Sequence, residues 1–161
     1  MSATTGNWDA VIKGIEHLDE NILAAIKLAT MQNCLMLEAA LVLHIQNQDL
    51  GWKGLNPVYK AYKEKKKLSN QILIATSTLM NSITHEVSDD GLSGFVGVLR
   101  KAKGKKGGKN EVLIGAVHEF GSPSRNITAR PLFQPTLVEK KQAVIDRYMK
   151  AVEKALQKVG G

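Results

Sequence analysis

The sequence predicts an α+β fold, with helices first, then a small antiparallel sheet, then a long closing helix. Three observations predict it. Residues 21–48 contain neither glycine nor proline and carry apolar side chains on more than one helical face. Residues 82–99 change to strand-like alternation around Ser88-Asp89-Asp90-Gly91, a turn signal. Residues 134–159 return to apolar spacing near 3.6, through Leu137, Val138, Val144, Ile145, Tyr148, Met149, Val152 and Leu156.

The elements follow in chain order. Val11, Ile12, Ile15 and Leu18 predict a first helix over 8–18. Asp19 is placed to cap the next helix. That helix, 21–48, is apolar on several sides, with Lys27 and Glu38 on its wetter ones. Part of its surface is expected to meet another subunit. Gly51 is the expected stop. A connector over 49–81 follows. It runs from irregular GWKGLNP through a charged helical stretch at 58–68 to a further helix over 71–81 that starts at Ser69-Asn70. The sheet region is 82–129, with strands at 82–87, 95–99, 111–116 (EVLIGA) and 126–128. A basic, glycine-punctuated arm at 100–110 lies between two of these strands, which predicts a hairpin with a long basic tip. The closing helix takes up 131–159. No internal repeat appears, and the 161 residues suit one domain.

Aromatics are only 5% of the chain, so the core is expected to be aliphatic. The single cysteine, Cys34, excludes an internal disulfide, and its apolar neighbours predict a buried, inert thiol. No basic-then-apolar leader opens the chain. The run 22–45 includes Lys27, Gln32, Asn33, Glu38 and His44, which predicts a buried or interfacial helix and not a membrane span. Net charge is +7, much of it in KAYKEKKK (60–67) and RKAKGKKGGK (100–109). The second cluster supplies the candidate interaction residues Arg100, Lys101, Lys103, Lys105, Lys106 and Lys109. They favour an anionic partner, either nucleic acid or an acidic protein face. That segment interleaves no aromatic residue, so phosphate contact fits it better than base stacking.

No catalytic signature is present. HExxH fails because Ser122 stands where the second histidine belongs, one cysteine gives no CxxC, and neither GxSxG nor GxxxxGK[ST] occurs. The expectation is no enzyme, no cofactor and no metal. The informative stretch is instead His118-Glu119-Phe120-Gly121, followed by Arg130, Pro131 and Phe133. Glu119 is expected to accept backbone N–H bonds and His118 to pack or hydrogen-bond. Phe120 and Phe133 are expected to anchor the core, and Trp52 to pin the connector to it. Gly121 is expected to take a φ that a side chain would block. Arg130, held extended before Pro131, is expected to pair with an acid such as Glu119.

Two blocks carry a family resemblance. One comprises Gly51-Trp52, Leu55, the basic run, Ile72-Leu73, Thr76, Leu79 and Ser82-Ile83. The other is HEFG at 118–121, ARP at 129–131 and QPTL at 134–137. In this order they resemble the tail-completion and head–tail-joining (virion morphogenesis, minor tail) proteins of long-tailed phages, over roughly the last two-thirds of the chain. Thr76-Ser77 departs from a frequent Thr-Gly in that pattern, and Leu132-Phe133 inverts its Phe-Leu. The resemblance implies a sheet packed by helices and a homo-oligomer, a hexameric ring at the neck or head-proximal end of the tail. It implies contacts with tail-tube, terminator and connector proteins, assembly in the host cytoplasm, and no catalytic residues. Nonspecific nucleic-acid binding through the basic clusters is the alternative.

Overall fold

The computed structural model describes residues 8–98 and 108–157, and their fold is α+β. In order come α1 (Trp8–Glu16), α2 (Leu18–Asn47), α3 (Pro57–Lys65), α4 (Thr78–Ser82), β1 (Ile83–Val87), β2 (Gly94–Val98), α5 (Gly108–Phe120) and α6 (Phe133–Gln157). A single 3-10 turn, Pro123–Arg125, precedes α6. The two strands form one antiparallel hairpin. Residues group into two compact units, and α2, the hairpin and α6 each contribute to both.

Among the described residues the first unit comprises 8–33, 87–94 and 142–157. Here the first half of α2 packs on the second half of α6. Buried Thr30 hydrogen-bonds Tyr148 Oη at 2.9 Å, and Asn33 takes Arg147 Nη1 on its Oδ1 at 2.7 Å. Polar groups that would cost free energy if buried alone are thereby matched. The tip of the hairpin is held by Asp90, whose Oδ1 accepts from Leu92 N–H at 2.9 Å. Gly91 stands at φ +74, where a side chain would be strained and would collide with the stem of Lys27.

Among the described residues the second unit comprises 34–86, 95–98 and 108–141. Its core is aliphatic: Leu41, Ile45, Ile74, Ile83 and Leu132 are buried together, flanked by Trp52, Val98 and Phe133. His85 on β1 pairs with Glu38 on α2, and His44 lies between Asp49 at 2.7 Å and Glu139 at 3.0 Å. The Nε2 contact of His44 with Glu139 is close but not aligned as a hydrogen bond.

Several expectations are corrected. The strand expected at 111–116 is part of helix α5, so the basic segment joins a strand to a helix and is not a hairpin tip. The fourth strand reduces to one bridge, Ser122 with Ile127. The helix expected over 71–81 is one short turn, α4, after an irregular run in which Leu73 and Ser77 adopt φ +60 and +58. Helix α2 ends earlier than Gly51, because Gln48 takes the left-handed position at φ +57. Its side chain then doubles as a backbone partner, accepting from Ile72 N–H at 2.9 Å and donating to Ile72 C=O at 3.0 Å. These tertiary bonds replace the helical ones that 71–77 forgoes.

Helix α2 is long and apolar enough to cross a membrane by length and composition alone. Its Thr30, Asn33 and His44 are nonetheless partnered within the chain, whereas Leu23, Leu28, Met31, Leu35 and Leu43 are exposed.

Candidate functional site

The candidate site lies wholly in the second unit, where α5, the 121–132 loop and the connector converge. Glu119 sits near the end of α5. Its Oε2 accepts from Leu132 N–H at 2.7 Å and Phe133 N–H at 3.0 Å, and its Oε1 accepts from Gln134 N–H at 3.0 Å. The first turn of a helix leaves its N–H groups without intrahelical partners and carries partial positive charge, so a carboxylate is well matched to the start of α6. Gly121, directly after α5, has φ +78, and a Cβ there would meet Ala129 N and Ile127 O at 3.1 Å. The loop closes on itself through Arg130 N–H to His118 C=O at 2.6 Å.

Arg130 does not pair with Glu119. Its Nε donates to Lys53 C=O at 3.2 Å and its Nη2 to Gly54 C=O at 3.4 Å, tying the loop to the connector. Trp52 Nε1 crosses the other way, donating to Pro131 C=O at 2.8 Å. Phe133 packs against the core, but Phe120 is 80% exposed and anchors nothing within the described residues. Helix α5 turns Glu119 toward α6, and Phe120, one residue on, faces about 100° away in an α-helix. Of the basic cluster, residues 100–106 lie outside the described residues, as does the side chain of Lys109.

Lys63 is the residue the sequence did not single out. In KAYKEKKK it looks solvated, yet it is only 2% exposed. Its Nζ donates to Gln71 C=O at 2.9 Å and Ile74 C=O at 3.3 Å, holding the irregular run in place. Its position on α3 follows from a clear start: Asn56 Oδ1 caps Val58 N–H at 2.9 Å and Pro57 opens the helix. Burial, and then the nearby Arg130 charge, hold the Lys63 ammonium below the usual lysine range.

Lys63, Arg130, His118 and Glu111 line one cleft of about 790 Å³, with Leu55, Tyr59, Ile74 and Ile114 among its apolar walls. A second void of about 10 Å³, the size of one water, lies among His118, Glu119 and Arg130. His118 Nδ1 and Glu111 Oε2 are buried without a hydrogen-bond partner. Desolvation, and then Arg130, push the His118 imidazole below its ordinary value of 6.5. The fold thus favours neutral His118. Its contribution to stability is complete above pH 6.5 and falls as pH drops from there through the folded-state value. Thermal melts from pH 8 to pH 5 should show this fall in the wild type and a shallower one in His118→Asn. Equal slopes would mean that His118 is not the group responsible. Among the described residues no three of His, Cys, Asp and Glu gather closely enough to hold a metal.

The chain is 32% identical over 114 residues to a protein of Methanocaldococcus jannaschii, "Uncharacterized protein MJ0331", covering 71% of this chain and 74% of that one. It belongs to the MJ0331 family. Any stretch of that length in a 161-residue chain takes in residues 48–114, so the connector, Lys63 and the hairpin fall within the family likeness. No family model matches the sequence, and no solved structure matches it.

Proposed function

We propose that this MJ0331-family protein is a ring-forming structural subunit of a tailed virus particle, acting at the neck or head-proximal end of the tail. The observation that carries the reading is the Glu119 clasp. HEFG and ARP are separated in sequence, yet the acid of the first binds the backbone just after the second, so the motifs of the second block form one structural unit. Ser77 adds support. It stands at φ +58, a conformation that glycine takes freely, and it occupies the place where the resembled pattern often has glycine. Exposed Phe120, Leu137 and Val138 supply apolar surface of the kind subunit interfaces bury. A head-to-tail contact between copies closes into a ring when its rotation permits.

Native mass spectrometry of the purified protein, at low and high salt, tests this reading. The expected result is a hexamer, or a monomer–hexamer equilibrium, that persists as salt rises. A monomer at every concentration that binds DNA with steep salt dependence would move the assignment to nucleic-acid binding. One feature favours that second reading: α3 exposes Tyr59 and Tyr62, stacked at 6.1 Å, beside Lys60 and Lys65. Aromatic and basic groups together are what a single-strand binder uses.

A further inference from the structure

We propose that the cleft between the connector, α5 and the 126–128 loop is a binding site for an acidic, partly apolar peptide segment of another protein chain. The argument starts from charge. Lys63 and Arg130 are 2% and 9% exposed and line the same cleft. Buried cations are normally paired with anions, because desolvating a charge is costly. Here the hydrogen bonds of both go to backbone carbonyls, and among the described residues neither has a carboxylate partner. An ammonium has three donors and a guanidinium five. Lys63 directs its bonds to two carbonyls and Arg130 to three, so each retains N–H capacity for a ligand. Lys53, exposed at the same cleft, adds a third positive charge.

A free inorganic anion would use only part of the site. The walls include Leu55, Tyr59, Ile74 and Ile114, which favour an apolar body next to the charged group. Glu111 contributes a buried Oε2 with no donor bonded to it, an acceptor suited to a peptide N–H. His118 Nδ1 is likewise unpartnered. A peptide alternating carboxylate and aliphatic side chains satisfies these features together: carboxylates for the cations, N–H groups for Glu111, and aliphatic groups for the walls. The cleft, at about 790 Å³, falls in the size range of sites that enclose a ligand of several residues. Nucleic acid would meet the cations but would set phosphate against Glu111 and leave the aliphatic walls poorly matched.

NMR titration of the full chain, with all histidine ring signals followed, is the test. The probes are a capped Asp-Leu-Asp-Leu peptide, its Asn-Leu-Asn-Leu analogue, inorganic phosphate and a short single-stranded DNA. The acidic peptide is expected to move the His118 signals in a saturable way while His17, outside the cleft, stays put. The neutral analogue is expected to do neither. Lys53→Glu, a change at an exposed position, should weaken the acidic peptide about threefold or more without altering the melting profile. The proposal is overturned if the acidic peptide leaves His118 unmoved, if the neutral analogue binds equally well, or if phosphate or DNA produces the larger, salt-sensitive response.

Discussion

Replacing Glu119 with alanine is expected to destabilise the protein by about 3 kcal/mol, which lowers the melting temperature by roughly 6–12 °C for a chain of this size. One side chain accepts three backbone N–H bonds at the start of α6, and each is charge-assisted. Leu132, one of the three donors, is buried in the core, so water cannot readily replace the lost partner there. Glu119→Gln separates charge from geometry. The amide retains one accepting oxygen and turns its NH₂ toward an N–H, so its loss should be about half that of alanine. Denaturant unfolding of both variants checks this. An alanine variant within about 0.5 kcal/mol of wild type would mean that α6 is capped by solvent and that the clasp is incidental.

Lys63→Ala is expected to be of similar size, about 2–4 kcal/mol, for a different reason. It removes the donor from two carbonyls, Gln71 and Ile74, in a run whose backbone has given up helical hydrogen bonding. It also leaves a cavity where a nearly enclosed stem had been. Lys63→Met restores the volume but not the bonds, and should recover only part of the loss. If the Met variant equals or exceeds wild-type stability in urea unfolding, then burying an ammonium beside Arg130 costs more than its carbonyl bonds return.

These two residues also show how far the sequence could be read. The long helices were legible because their signal is long. Thirty residues of α2 lack glycine and proline, and α6 repeats its apolar residues over 25 positions. The hairpin was legible from alternation and from the Asp-Asp-Gly turn. EVLIGA was misread because a short, mostly apolar and partly β-branched run looks alike in a strand and in a helix, and the helix is established only by the residues that follow. The irregular 71–77 run was misread because its partners, Gln48 and Lys63, lie 24 and 8 or more residues away. Lys63 itself was hidden inside a charge run, which local pattern reads as solvated surface. Phe120 was expected to be buried from its type alone, but the turn of α5 that aims Glu119 at α6 leaves it exposed.

The buried Cys34 thiol has a kinetic meaning. Desolvation raises it above its ordinary value, so little thiolate exists near neutral pH, and the side chain is 4% exposed. A thiol-specific reagent therefore reacts mainly with molecules in which α2 has parted from its surroundings. The chain carries one such sulfur, so the labelling rate counts a single kind of event. Without any substitution, the labelling rate records how often α2 lifts open.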